Sequence, residues 1–334
     1  MTPMVTTKIN LQYHSTVGFH TDQGSRGFQH PSAFIMRDDG IIFVASRGAG
    51  PTVGVQMVNK DFEFFGKLGE AGGGIGQMQA PSALALDSQN NLYVADEKLN
   101  RITIFDKDGE LKGSWGEFGD EPGQFNNPSG MAILDDEVIV TDTMNHRIQR
   151  YTTDGKFISQ WGEKGSDEGQ YILPWGLSTG HNKELIIADW GNDRIVSSDL
   201  NGNIIAIING DKENSNSLNR PAHAAQDLDN NWYVADWGNQ LLKVFDQRGN
   251  FLESHRGSGG LNPWALEYFE SQQNEKKARS TYAPIFKPTT KDVREISALI
   301  EPYFWDPVSV ELDAEGRVYV LETGRYRFQI FERI

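Results

Sequence analysis

The feature that most constrains this chain is a repeated unit that opens each time with a proline. The opening prolines are Pro31, Pro81, Pro128, Pro174, Pro221 and Pro307, with spacings of 50, 47, 46, 47 and 86 residues. Within the unit at 127–162, apolar and alternating runs separated by turn residues predict four short antiparallel strands. One such unit cannot bury both of its faces, so neighbouring units must stack against it.

A second recurring position is the last residue of the second strand in each unit. These strands end at Ser46, Asp96, Asp142, Asp189, Asp236 and Glu322. An arginine follows five residues after Asp96, Asp142 and Asp189, as Arg101, Arg147 and Arg194. Six units of four strands in register predict an all-β fold, a six-bladed β-propeller of four-stranded blades.

The repeated pattern resembles that of NHL repeats. It contains P-x-G-hydrophobic-A, then Y-V-A-D-x-x-N-x-R-I, then D-x-x-G and finally G-Q-F-x-x-P, and the resemblance covers about residues 11–262 and 305–334. It implies the propeller fold. It leaves the function open, because NHL propellers include enzymes and binding modules alike.

The two ends of the chain match complementary parts of one blade. Residues 10–17 match a fourth strand, and the C-terminal RFQIFER matches a third strand. The N-terminal strand is therefore predicted to complete the last blade and close the ring, which removes the open sheet edges. Residues 1–334 are predicted to form a single domain.

The spacing of 86 residues leaves about 40 more than one blade needs. We predict that residues 264–304 form a partly helical lid insertion that caps one face, with a helix at 290–300. A degenerate seventh blade that starts near Asn262 is the alternative. The insertion lacks the V-A-D strand of the other units, which favours the lid.

The composition of the chain disfavours several classes of partner and site. The net charge of −15 disfavours nucleic acid as a partner. The absence of cysteine excludes disulfides and thiolate metal sites. No apolar run is long enough to span a membrane, and the N-terminus shows no signal-peptide core, so a cytoplasmic location is expected. The oligomeric state is left open.

Residues that depart from the repeat are the candidates for a binding site, because a residue that recurs in every blade serves the architecture. Two positions line the predicted mouth, one after each opening proline and one after each second-strand carboxylate. The first position supplies the substrate contacts Ser32, Ser82, Ser129 and Trp175, and the second supplies Trp190 and Trp237. We predict a mouth with hydroxyl groups on one side and an aromatic wall on the other.

Further substrate contacts are expected around the insertion. Trp264 and Trp305 flank it, and Tyr282 and Tyr303 lie within it. For every tryptophan the alternative is a structural role in packing between blades.

Four ionisable residues are predicted to act on the substrate. His223 stands where other blades have Ala, Gly or Ser, and it is a candidate general base or metal ligand. Arg47 and Arg325 are candidates for holding a carboxylate, and Glu97 is a candidate acid or base. The alternatives are a structural histidine, surface salt bridges and a solvated glutamate.

The resemblance extends distantly to the peptide-amidating lyase propeller, in which histidines at the starts of inner strands hold zinc. Here those positions hold Ser32, Ser82, Ser129 and Trp175, so the zinc triad is not matched. The Glu, Asn and Asp set that holds calcium in lactonase-type propellers cannot be assigned either. The metal is therefore unknown; zinc or calcium is compatible with the sequence, and neither is required.

The favoured hypothesis is an enzyme for a small-molecule substrate, with a lidded axial pocket and lyase- or hydrolase-type chemistry. The substrate would be apolar or aromatic and could carry an anionic group. The alternative is a non-catalytic NHL propeller that binds a protein, a peptide or a small ligand on the same face. A pure scaffold is the third hypothesis.

Overall fold

The propeller consists of six four-stranded antiparallel sheets. The structure is a computed structural model, and it describes residues 9–20, 26–210, 216–281 and 288–334. Blades 1 to 3 comprise Pro31–Met36, Ile42–Ser46, Gly54–Val58 and Phe64–Leu68; Pro81–Leu86, Leu92–Asp96, Arg101–Phe105 and Leu111–Trp115; and Pro128–Leu134, Glu137–Asp142, Arg147–Thr152 and Phe157–Trp161. Blades 4 to 6 comprise Pro174–Thr179, Leu185–Asp189, Arg194–Ser198 and Ile204–Ile208; His223–Gln226, Trp232–Asp236, Leu241–Phe245 and Phe251–His255; and Pro307–Leu312, Val318–Glu322, Arg327–Arg333 and Leu11–Val17. The predicted six-bladed propeller is confirmed.

The opening proline and the closing acid of a unit face each other at one end of the blade. Pro81 pairs with Asp96, Pro128 with Asp142, Pro174 with Asp189 and Pro307 with Glu322. A register irregularity follows the proline in these blades, as expected at a residue that has no N–H to donate. Inner strands therefore all start at the same face of the ring, which we call the mouth face.

The ring closes as predicted. The N-terminal strand Leu11–Val17 pairs antiparallel with Arg327–Arg333, and Val17 lies opposite Phe328. The last blade thus takes its outer strand from the beginning of the chain. Both ends of the sequence therefore lie in one sheet. The ring cannot open between blades 6 and 1 unless the hydrogen bonds between these two strands break.

Apolar clusters fill the spaces between neighbouring blades. Six such clusters occur in the described part of the chain, one for each pair of adjacent blades. Between blades 2 and 3, for example, Tyr93 and Ile102 pack against Val138 and Tyr151. Burial of these side chains is the main force that holds the ring together.

The recurring acids tie each blade to the connector that leads into it. Asp142 accepts hydrogen bonds from the backbone N–H of Asn126 at 2.6 Å and from Arg147 Nε at 2.8 Å. Glu322 does the same with the backbone N–H of Trp305 and with Arg327 Nε. The glutamate of blade 6 is therefore the structural acid of its repeat, as the sequence pattern indicates.

The described residues of the insertion form three helices, Pro263–Ser271, Gln273–Thr281 and Val293–Leu299. The third helix is the predicted one, shortened at both ends, and Asp292 caps it by accepting from the N–H groups of Arg294 and Glu295. No four-stranded sheet occurs in the described residues of the insertion, so it is not a seventh blade. None of the described helices is both long and apolar enough to cross a membrane.

Candidate functional site

An axial cavity of about 280 Å³ runs between the inner strands of all six blades. At the mouth face it is lined by Ser32, Ser82, Ser129 and Trp175. At the far end it is lined by residues that include Gln226 and Glu311. No described residue of 264–304 lines it.

The serines predicted to contact substrate line the cavity, but their hydroxyl groups are engaged by the protein. Ser32 donates to the carbonyl of Pro81 at 2.6 Å, and Ser82 donates to the carbonyl of Pro128 at 2.6 Å. Ser129 donates to the carbonyl of Asn127 at 3.1 Å. The first two bonds each join one inner strand to the next, so these serines connect blades.

Three of the predicted tryptophans form a continuous row at the mouth face. The ring centres of Trp175 and Trp190 are 6.1 Å apart, and those of Trp190 and Trp237 are 6.0 Å apart. Trp175 lines the axial cavity, so the row leads from the cavity outward over blades 4 and 5. We call these three residues the tryptophan row. Its rings are partly exposed and form the aromatic wall that the sequence predicts.

The other predicted aromatic contacts lie elsewhere. Trp264 is only 2% exposed and donates from Nε1 to the carbonyl of Phe62 at 2.8 Å, between blades 6 and 1. Trp305 packs under the guanidinium of Arg325, and Tyr303 packs under that of Arg256. None of these three lines the axial cavity. Tyr282 lies outside the described residues.

Arg47 and Glu97 form an ion pair with each other at the mouth. Arg47 Nη1 lies 2.9 Å from Glu97 Oε1, and Arg47 Nε donates to the carbonyl of Pro81 at 3.3 Å. Burial raises the pKa of Glu97, and the positive charge of Arg47 opposes that shift. In this structure the guanidinium of Arg47 is therefore paired with a carboxylate of the next blade.

Arg325 anchors the insertion. Its Nη2 donates to the carbonyls of Ser297 and Ala298, each at 2.9 Å, at the end of the third helix. Asn145 makes the corresponding bond in blade 3, to the carbonyl of Gly119 at 2.8 Å. A longer side chain takes the place of the asparagine because the insertion lies where the other blades have a short connector. The predicted role in holding a carboxylate has no support from this placement.

His223 lines the cavity at the start of the inner strand of blade 5. Its Nδ1 lies 3.1 Å from the carbonyl oxygen of Val310 in blade 6, and the ring also bonds the backbone of Leu177 in blade 4. A Cβ at Gly176 would lie 2.8 Å from the ring carbon Cδ2, so that glycine makes room for the imidazole. Burial lowers the pKa of His223 to about 4, and the ring is neutral at pH 7.

Glu311 lines the cavity but was not among the residues predicted from the sequence, and the same is true of His181 in blade 4. Glu311 lies on the inner strand of blade 6, directly after Val310. Within the described residues, no donor lies within hydrogen-bonding distance of its carboxyl group. Burial raises the pKa of Glu311 to about 8, so the group is largely protonated at pH 7. A neutral carboxylic acid in a cavity can donate a proton or a hydrogen bond.

The signal for Glu311 was present in the repeat. The strand pairing places it opposite Tyr319, three residues before the closing acid of its blade. The equivalent residues in blades 1 to 5 are Ile35, Ala85, Ala132, Ser178 and Ala225. A glutamate therefore replaces an apolar or small residue, which is the kind of departure that marks a candidate site. Glu311 lies near the far end of its inner strand, away from the strand starts and loops that supplied the predicted mouth residues.

Among the described residues, no group of three His, Asp or Glu side chains could hold a metal ion. Three ionisable side chains of the described residues line the cavity, namely Glu311, His223 and His181, and its acid–base chemistry comes from them. Glu311 and His223 carry no formal charge at pH 7.

The fold and its axial cavity define a six-bladed β-propeller. Residues 125–151, which belong to the third blade and the connector before it, match the NHL repeat. No curated protein matches the sequence significantly.

Solved structures share the fold at low sequence identity. A streptogramin B lyase matches with a TM-score of 0.58 and 11% identity over 98% of each chain. A catalytically inactive His→Ala variant of virginiamycin B lyase from Staphylococcus aureus, with quinupristin, matches with a TM-score of 0.57 and 15% identity over 98% of this chain and 100% of the other. An auxiliary nutrient binding protein from Bacteroides thetaiotaomicron matches with a TM-score of 0.62 and 9% identity over 98% and 77%. At sequence identities this low, the structural matches establish a common fold and nothing more.

Proposed function

We propose that this propeller is an enzyme for small molecules that carries out lyase- or hydrolase-type chemistry in its axial cavity, with Glu311 as the proton donor. The observation that carries the proposal is the position of the Glu311 carboxyl group in the axial cavity. Glu311 lines the cavity, lacks a described hydrogen-bond partner, and replaces an apolar or small residue of the repeat. Keeping a carboxyl group in such a place costs stability, and perturbed groups of this kind concentrate at functional sites.

The chemistry follows from the protonation state. Both lyase and hydrolase reactions expel a leaving group, and an acid that donates a proton to it lowers the barrier. With a pKa of about 8, Glu311 holds its proton at pH 7 and releases it readily to a developing negative charge. The ionised form then takes a proton back from water or substrate before the next turnover.

His223 has a different role in this proposal. Its ring bonds the backbone of the neighbouring inner strands, including the carbonyl that directly precedes Glu311. We assign it as a positioning residue that fixes the strand of blade 6 relative to blades 4 and 5. This differs from the proton transfer that the sequence pattern suggests.

The solved neighbours support the lyase type as the first reaction to test, since two of those described above are lyases of the same fold. The experiment incubates the protein with cyclic depsipeptides, lactones and aromatic esters and follows the products by mass spectrometry. A lyase opens a cyclic substrate without a change of mass, whereas a hydrolase adds the mass of water. Glu311→Gln is the matched control, because it keeps the shape and removes the transferable proton.

The second candidate is a binding protein for a small ligand that performs no chemistry. The tryptophan row favours it, because stacked aromatic surfaces bind planar or apolar molecules without further groups. A neighbour of the same fold is a nutrient binding protein. A ligand that binds wild type and Glu311→Gln equally and is recovered unchanged from both would favour this candidate over the enzyme.

A further inference from the structure

Two arginines cover the faces of the tryptophan row. The guanidinium carbon of Arg220 lies 4.8 Å from the ring centre of Trp190, and that of Arg294 lies 5.9 Å from the ring centre of Trp237. The row therefore combines flat apolar surface with positive charge. A cationic ligand would meet two guanidinium groups, so the row disfavours cations although the protein as a whole is acidic.

The two arginines differ in what neutralises them. Arg294 forms a two-pronged ion pair with Asp306, with both N–O distances 2.7 Å. Arg220 is exposed, and no carboxylate of the described chain lies within ion-pair distance of its guanidinium. Asp193 accepts a hydrogen bond only from the backbone N–H of Arg220, at 2.8 Å. The Arg220 side chain thus presents a cation beside the partly exposed ring of Trp190.

This arrangement is not part of the repeat. Arg220 directly precedes an opening proline, and the corresponding residues of the other blades are His30, Ala80, Asn127, Leu173 and Asp306. Trp190 and Trp237 likewise stand where other blades have Arg, Glu or Thr. The stacked pair of Arg220 and Trp190 is therefore a local departure at the mouth of the cavity.

We propose that the tryptophan row is the subsite for an aromatic carboxylate portion of the substrate. The ring of the ligand packs against the parts of Trp190 and Trp237 that the arginines leave exposed, and Arg220 binds the carboxylate through paired N–H groups. The inference rests on the proposed function for its assignment to a substrate, because Trp175 joins the row to the cavity that contains Glu311. It names the substrate class as molecules that carry an aromatic ring and a carboxylate.

The test measures binding of three probes of equal shape to the whole protein, without turnover. The probes are 2-naphthoate, 2-naphthylmethanol and 2-naphthylmethylammonium, and the readouts are tryptophan fluorescence and calorimetry. We expect naphthoate to bind roughly tenfold more tightly than the alcohol, as one charge-assisted contact allows, and the ammonium probe to bind most weakly. The naphthoate advantage should shrink as salt is added.

The variants locate the effect. Arg220→Gln should remove the preference for naphthoate and leave binding of the alcohol unchanged, and Trp190→Leu should weaken both. Arg248→Gln, an exposed change in a turn of blade 5, removes the same charge and should retain the preference. Equal binding of all probes, tighter binding of the ammonium probe, or an unchanged preference in Arg220→Gln would overturn the inference.

Failure of the inference can be told apart from failure of the proposed function. Glu311→Gln should bind naphthoate as well as wild type does, because Glu311 lies at the far end of the cavity from the row. Naphthoate binding that depends on Arg220, together with no turnover of any substrate, would keep the subsite and reject the enzyme. Turnover without Arg220-dependent binding would do the reverse.

Discussion

Nδ1 of His223 lies 3.1 Å from the carbonyl oxygen of Val310, the residue that directly precedes Glu311. A side chain of blade 5 thus holds the strand of blade 6 that carries the buried acid. The contact crosses a blade interface beside the cavity, so the position of Glu311 depends on a neighbouring blade. This relationship separates two roles that the sequence could not separate, namely proton transfer and positioning.

Replacement of His223 should affect stability more than proton transfer. His223→Ala removes the bonds to the backbone of blades 4 and 6 and leaves their buried partners unsatisfied, which should cost about 1–3 kcal/mol of unfolding free energy. His223→Gln can offer an N–H to the carbonyl of Val310 and should recover part of that loss. Urea unfolding measures both variants.

The kinetic readout decides between the two roles of His223. A positioning residue predicts that His223→Gln retains a substantial part of kcat and an unchanged upper limb of the pH–rate profile. Loss of kcat as complete as that in Glu311→Gln, from a variant of wild-type stability, would show that the imidazole itself transfers a proton.

Glu311 should make the protein less stable as the pH rises from 6.5 to 8. In this window the unfolded glutamate is ionised, whereas the folded one keeps its proton until the pH reaches its pKa of about 8. The folded state therefore binds more protons, and the unfolding free energy falls with increasing pH, by at most about 1.4 kcal/mol per pH unit. Above the folded pKa the effect levels off.

The matched variant isolates this slope. Glu311→Gln cannot titrate, so the difference between the urea midpoints of wild type and variant should change steadily from pH 6.5 to 8. The folded pKa of His223 is about 4, so its own effect falls below this window: stability is lost as the pH drops from about 6.5 toward 4. Parallel midpoints for the two proteins would show that Glu311 is ionised in the folded state.

The blade frame could be predicted because its determinants are local and repeated. Pro128 and Asp142 are 14 residues apart in sequence and pair directly across the first two strands. Ring closure could also be predicted. The C-terminal part of blade 6 has three strands, and Leu11–Val17 supplies the fourth by pairing with Arg327–Arg333. Both inferences need only the period of the pattern and the rule that strand edges are paired.

The roles of side chains at the mouth were harder to predict. Ser32 and Ser82 recur at one position, and the same argument that assigned recurring acids to the architecture applies to them. Arg47 was predicted to face a ligand, but its partner Glu97 belongs to the next blade, and the sequence does not show which side chains meet across a blade interface. Glu311 could have been found by comparing every inner-strand position in register.

The path of the insertion could not be predicted, because no repeat constrains it. Trp264 illustrates the consequence. Trp115 packs at the turn of the following blade, where a Cβ at Gly155 would lie 2.4 Å from its ring, and Val17 holds the equivalent place in blade 6. The insertion supplies Trp264 to the core beside Val17. A tryptophan expected to contact substrate is therefore part of the packing between blades 6 and 1.

Arg147 should be among the most important charged residues for stability. Its Nε lies 2.8 Å from a fully buried carboxylate, Asp142, and its Nη groups bond the carbonyls of Asp120, Glu121 and Gln124. Arg147→Ala leaves that carboxylate buried without its partner and should cost about 3–5 kcal/mol. Thermal and urea unfolding measure the loss.

Arg150 on the same strand provides the control. It pairs with Glu137, a residue with a 24% exposed side chain, so water partly replaces the interaction. Arg150 also donates to the carbonyl of Leu200 at 2.8 Å, so Arg150→Ala should cost about 1–2 kcal/mol, less than Arg147→Ala. Equal losses in the two variants would contradict the view that the recurring acid and arginine hold the connectors to the blades.

Truncation of Trp264 should lower stability, whereas truncation of Trp237 should weaken ligand binding. The reason is that Trp264 is buried between blades and Trp237 forms part of the mouth. Trp264→Ala should cost about 3–5 kcal/mol, since it opens a cavity between blades 6 and 1 and leaves the carbonyl of Phe62 without its donor. Trp264→Phe keeps most of the volume and should cost about 1 kcal/mol for the lost hydrogen bond. Trp237→Ala should change stability little and weaken binding of 2-naphthoate instead. If Trp264→Ala unfolds at the same urea concentration as Trp237→Ala, the insertion does not contribute to the core, and its first helix must be held by other contacts.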